Sequence, residues 1–234
     1  MPQSIAFVSQ TGNVMKSTLA VAMGLTLAAA GLAILAVDLD PEHRARGASL
    51  STWLAERRDR HPERTHIAAV APETANDALH AITQSQADIV IIDCPSRATE
   101  ASFLIAASSD FTILPLVPGE KDAVLTVSTL NQLIATGIDP NRLAVILTRT
   151  GTDAEAADYR AWLQGAGLGR IHIIDRHIPE RVAYRNALTR RLSIIEAQPT
   201  SVRVQARRAV DALIDAFDRT ANSDPLPQTE RAIL

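Results

Sequence analysis

Along the chain, short runs of consecutive apolar residues alternate with longer stretches in which apolar residues recur every three or four positions. The short runs predict strands over 5–8, 33–37, 67–70, 89–92, 112–116, 144–147 and 171–174. The longer stretches predict helices over 17–30, 50–60, 73–85, 99–107, 121–135, 154–164, 179–188 and 201–219. "DIVIID" and "RLAVILT" are apolar at successive positions, so both faces of these strands must be covered. The pattern predicts an α/β fold with a doubly wound, mostly parallel sheet and helices on both faces. Ligands of such folds sit beyond the carboxyl ends of the strands. Residues 9–18, 38–42 and 93–97 fall there.

One apolar stretch competes with this picture. Residues 17–37 carry no charge and are long enough to cross a bilayer. Gly31 divides them into an alanine-rich helix and a Leu/Ile/Val strand, so we read a buried α/β core and no membrane partner. A charged segment typical of a cleavable signal is also missing at the N-terminus. Residues 1–221 are expected to form one domain, and 222–234, polar and proline-containing, a flexible tail.

Composition narrows the classes further. Cys94 is the single cysteine, which excludes a disulfide framework and fits a reducing cytoplasm. Aromatic residues make up 3% of the chain, too few for a base-stacking platform. Net charge is −3, and only Lys16 and Lys121 are lysines. The charge is uneven. Residues 176–208 hold eight arginines against Glu180 and Glu196, a local net of +6 that leaves the remainder at −9. Such asymmetry suits sequence-independent contact with nucleic-acid phosphates through Arg181, Arg185, Arg190, Arg191, Arg203 and Arg207. His61, His66, His80, His172 and His177 show no metal-ligand spacing.

The candidate chemistry lies in three segments. "SQTGNVMKST", residues 9–18, ends in Lys-Ser-Thr where a strand gives way to a helix. Backbone N–H groups of Gly12, Asn13, Val14, Met15 and Thr18, with the helix dipole, would face an anion there. Lys16 would reach the β- and γ-phosphates of a nucleotide, and the Ser17 hydroxyl would ligate Mg²⁺. Taken alone, the loop is equally readable as a capped helix start. "DLDP" then places Asp38 and Asp40 two residues apart at a strand end, and "DIVIID" ends its strand in Asp93. One carboxylate would serve a Mg²⁺ site while another positions water.

In order and spacing these segments resemble the ParA/MinD group of deviant Walker ATPases, in particular short ParA-like partition proteins. The family loop N-Q-K-G-G-V-G-K-[ST]-T stands here as S-Q-T-G-N-V-M-K-S-T, D-x-D-P-Q as "DLDPE", and I-I-D-x-P-P as "IIDCPS". The resemblance spans roughly residues 3–220 and implies a P-loop NTPase fold, ATP/ADP and Mg²⁺ as cofactors, and a nucleotide-dependent homodimer. It also implies non-specific DNA and a centromere-binding or adaptor protein as partners, and a nucleoid-associated location. By position it assigns Lys16 and Asp40 to catalysis, Gly12 to Thr18 to nucleotide, and Ser17, Asp38 and Asp93 to the metal site. The departures are specific. Thr11 replaces the signature lysine, Asn13 and Met15 replace two loop glycines, Glu42 replaces a glutamine, and Arg191 a later glycine. Phosphate binding therefore carries over; trans-activation by the lysine does not, and hydrolysis is expected to be slow or partner-dependent. A non-hydrolysing pseudo-ATPase that serves as a structural or DNA-adaptor module is the alternative.

Overall fold

A computed structural model describes residues 1–45, 47 and 49–223. Seven strands, β1 (Gln3–Phe7), β2 (Ile34–Asp38), β3 (Ala68–Val70), β4 (Ile89–Asp93), β5 (Phe111–Leu116), β6 (Leu143–Thr150) and β7 (His172–Pro179), form one sheet in the order β3-β2-β4-β1-β5-β6-β7. Every neighbouring pair is parallel. The chain winds toward β3 first and then, from β5 onward, to the other side of β1. This reversal opens a crevice at the carboxyl end of β1, where doubly wound folds place their ligands.

Successive side chains on a strand point to opposite faces, and here both faces are apolar. Ile5 and Phe7 of β1, with Ile89 and Ile91 of β4, pack into one core with α1 (Lys16–Ala29), α3 (Leu50–Arg60), α8 (Val182–Thr189) and α9 (Thr200–Ser223). Ala6, Val8, Val90 and Ile92 face the other way, into a second core with α4 (Ala75–Gln84), α5 (Glu100–Ser108), α6 (Glu120–Ala135) and α7 (Asp153–Gly165). The uncharged stretch 17–37 divides as its composition predicts, into α1 and β2. Among the described residues no helix is long and apolar enough to cross a membrane. Gly24 brings α1 onto the sheet, since a Cβ there would meet Ile67 Cδ1 at 3.0 Å and Ile91 Cδ1 at 3.3 Å.

The expected elements differ from the observed ones mainly at their polar ends. β6 runs on to Thr150 and β7 to Pro179, because their ladder continues through Thr148–Ile178 and Thr150–Pro179 after the apolar run stops. Pro179, expected to open a helix, therefore closes a strand, and α8 starts at Val182. The short helix α2 (Pro41–Ala45) had no periodicity to announce it. The helix α9 continues to Ser223, two residues into the expected tail, and residues 224–234 lie outside the described residues.

Candidate functional site

The loop joining β1 to α1 keeps a left-handed backbone at the two positions where the glycines were replaced. Asn13 has φ 65° and Met15, the residue preceding α1, has φ 64°. Arg191, where a third glycine was expected, has φ 58°. A side chain in this region costs about 1–2 kcal/mol, less for asparagine. The fold thus enforces a glycine backbone without the glycines, and strain of this kind collects at functional sites. Gly12 does not use the left-handed region, and a Cβ there would meet only Ser96 Cβ at 4.0 Å. Met15→Gly is expected to relieve about 1 kcal/mol of strain and to strengthen nucleotide binding. Denaturant unfolding and ligand titration check it; weaker binding by the variant would show that the Met15 side chain belongs to the cradle.

Two side chains from the end of β6 brace the loop. The buried Thr148 hydroxyl donates to the Val14 carbonyl at 3.0 Å, and Arg149 Nη1 to the Asn13 carbonyl at 3.1 Å. Lys16 is 5% exposed and lies across the end of β4, where Nζ donates to Asp93 Oδ1 at 2.6 Å and to the Cys94 carbonyl. Asp38 and Asp93 are register partners on adjacent strands, and both are buried. Asp38 is met by neutral donors: Ser51 N at 2.9 Å and Ser51 Oγ at 2.8 Å on Oδ2, and Asp40 N at 3.2 Å on Oδ1. Asp38 therefore fastens the start of α3. Asp40, also buried, accepts from Ser96 Oγ at 2.7 Å.

A cavity of about 320 Å³ is lined by Ser9, residues 11–18, Ser96 and Arg149, with Pro179, Glu180, Arg181, Tyr184, Arg185 and Leu188 on the β7–α8 side; the buried Asp38, Asp40 and Asp93 are not among its lining groups. Ser9 Oγ is buried beside the loop with no hydrogen-bond partner among the described residues. Buried polar atoms are ordinarily paired, so this hydroxyl fits a site built for a ligand. No group of three His, Cys, Asp or Glu side chains among the described residues could hold a metal unaided. Mg²⁺ fits here in the manner usual for that ion, with one or two protein oxygens and the rest from phosphate and water. Ser17 and Asp93 would hold it, and it would neutralise phosphate charge when bound. The Cys94 thiol is buried, and that burial pushes it up to about 12.

The six arginines of the basic segment separate in space. Arg181 and Arg185 line the loop's cavity. Arg191 pairs with Glu56 of α3, beside a buried cluster in which Arg57 holds Glu196 through two hydrogen bonds of 2.8 and 2.9 Å. Arg190 and Arg207 are exposed and Arg203 half-buried, with Arg207 Nε on the Ile195 carbonyl at 3.1 Å. Sequence reading missed Ser51, Ser96 and the Arg149–Glu180 pair. Ser96 follows the Asp93 strand within "DCPS", a visible cue; no local signal marked the other three.

A strand, a phosphate-type loop and a helix start at the switch point of a parallel sheet, with buried aspartates on neighbouring strand ends, define a P-loop nucleotide-binding domain. The family model for the CobQ/CobB/MinD/ParA nucleotide binding domain matches residues 5–194, and the chain belongs to that family. Protein ParA of Rhizobium radiobacter is 27% identical over 186 residues, which cover 77% of this chain and 79% of that protein. Among solved structures, a protein assigned to plasmid partition from Borrelia burgdorferi, bound to AMPPNP, superposes with a TM-score of 0.67 at 13% identity over 94% of this chain and 99% of the other. The septum site-determining protein MinD from Pyrococcus horikoshii, complexed with Mg-ADP, superposes with a TM-score of 0.64 at 16% identity over the full length of both chains. The last two likenesses concern the fold.

Proposed function

We propose that this chain is a ParA-like protein that binds Mg·ATP, pairs with a second copy through its nucleotide face and holds DNA without sequence preference. In that role it would partition or position a plasmid or other large cargo together with a centromere-binding or adaptor protein, at the nucleoid. The carrying observation is the retained left-handed loop, with Lys16 at its end beside Asp93. Lys16, with the amides of residues 12–18, would hold the phosphates, and Lys16 would exchange Asp93 for phosphate oxygens when nucleotide enters. Ser17, Asp38 and Asp93 would serve the Mg²⁺ site, with Asp38 acting mainly through its hold on α3. Asp40, which accepts from Ser96, would orient water.

Positioning and charge stabilisation supply most of phosphoryl-transfer catalysis, and Thr11 brings no cation. ATP turnover is therefore expected to be slow or to require a partner. Thr11 and Met15 also support the second reading, a pseudo-ATPase that binds and does not hydrolyse. Single-turnover assays with and without DNA separate the two.

For DNA, Arg190, Arg203 and Arg207 are the better-placed contacts. The double variant Arg203→Glu/Arg207→Glu should weaken binding uniformly across sequences and lower its salt dependence. A titration of random duplex DNA at several salt concentrations, with and without ATP, tests the proposal. Wild-type protein that ignores DNA in the presence of ATP would refute the DNA-holding role.

A further inference from the structure

The cavity above the phosphate loop holds more positive charge than the loop supplies. Arg149, Arg181 and Arg185 line it, with Glu180 as their nearby carboxylate. Arg149 has a left-handed backbone, φ 54°, at the end of β6. Its guanidinium is fixed at two points: Nη1 on the Asn13 carbonyl of the loop at 3.1 Å and Nε on Glu180 Oε2 at 2.7 Å. The other oxygen of Glu180 accepts from Arg185 Nη1 at 2.5 Å. Two guanidinium groups thus share one carboxylate, and the three together carry a net +1.

The placement is unfavourable without an anion. Arg181 and Arg185 stand at the start of α8, where the helix dipole is positive and cations are disfavoured. Glu180 alone does not offset them, and Arg181 forms no side-chain ion pair or hydrogen bond among the described residues. Arg185 is 61% exposed, and its bond to Glu180 uses one of five N–H donors. Arg185 lines the same cavity as the backbone cradle of residues 11–18. Thr11, which also lines it, is neutral.

We propose that Arg185 is a same-chain cation that contacts the phosphate groups of the bound nucleotide, aimed by Glu180, which Arg149 fastens to the loop. This rests on the nucleotide reading above and adds to it the residue that compensates for Thr11. Glu180 and Arg149 are positioning residues, acting through Arg185 and through the loop carbonyl.

The test titrates wild-type protein, Arg185→Ala and Glu180→Gln with Mg·ATP and with Mg·triphosphate, the inorganic anion that lacks base and ribose. Arg185→Ala should weaken both ligands by the same factor, roughly 10- to 100-fold, as expected for a hydrogen bond to a charged group. Glu180→Gln should weaken both by a smaller factor, and Glu180→Asp should recover part of the loss. Thermal unfolding should be unchanged in Arg185→Ala, because the side chain is exposed. Wild-type protein that binds while Arg185→Ala binds equally well would overturn the assignment and leave the nucleotide reading intact. A loss confined to ATP would place Arg185 at the base or ribose and overturn it too. Wild-type protein that binds neither ligand would overturn the nucleotide reading itself.

Discussion

Lys16→Met is expected to abolish saturable Mg·ATP binding and also to destabilise the fold by about 3–5 kcal/mol, the usual cost of breaking a buried ion pair from one side. Lys16 and Asp93 are 5% and 1% exposed and 2.6 Å apart, so the substitution leaves a carboxylate stranded at the end of a central strand. The double variant Lys16→Met/Asp93→Asn removes both charges and should recover most of the stability while binding remains lost. Denaturant unfolding read beside a nucleotide titration separates the two roles. A single variant as stable as wild type would mean that the pair is not buried as described. A double variant that binds nucleotide would remove Lys16 from the phosphate site.

The second large effect lies away from the loop. Arg57 is 1% exposed and binds Glu196 with two hydrogen bonds while also donating to the Arg191 carbonyl at 2.9 Å. Arg57→Met should cost about 3 kcal/mol, toward the low end for such pairs, because Arg64 Nη1 still reaches Glu196 at 2.9 Å. Burial pushes the Glu196 carboxyl up. Hydrogen bonds from Arg57 and the Ser193 amide, with the Arg57 charge, outweigh it and leave the pKa below the ordinary 4.5. The folded-state value is depressed, so the stability it contributes is complete above about pH 4.5 and is lost as pH falls through the lower folded value. Unfolding curves across that acid range should fall more steeply for wild type than for Arg57→Met. Parallel curves would assign the acid sensitivity to other carboxylates.

This latch ties the region of Asp38 to the basic segment. Asp38 holds the start of α3 through Ser51, and the same helix grips the 188–196 segment through Trp53, Glu56 and Arg57. The contacts of α3 with the 188–196 segment do not follow from sequence neighbourhood, since they join residues more than 130 positions apart. The sheet was legible because β1, β4 and β6 are apolar on both faces, and a central parallel strand has no alternative to burial. The junction of β1 and α1 was legible because Lys16, Ser17 and Thr18 open the helix directly after an apolar strand. The ends of β6 and β7 were not, because the ladder there continues through Thr148, Thr150 and His177, which carry no apolar signal, and steps over Arg149. The division of the arginines between the cavity and the outer surface was equally hidden: one-dimensional charge counts merge Arg181 and Arg185 with Arg207, and only tertiary packing sets them apart.

Asn13 and Met15 show how sequence and backbone can disagree at a functional site. Their identities argue against a phosphate cradle, while their φ values of 65° and 64° keep a glycine-like backbone there. Calorimetric titration of the wild-type chain with Mg·ATP and Mg·ADP weighs these directly. Saturable binding below millimolar ligand, weakened when Mg²⁺ is removed, is the predicted result. Absence of binding by either nucleotide at millimolar concentration would contradict the account.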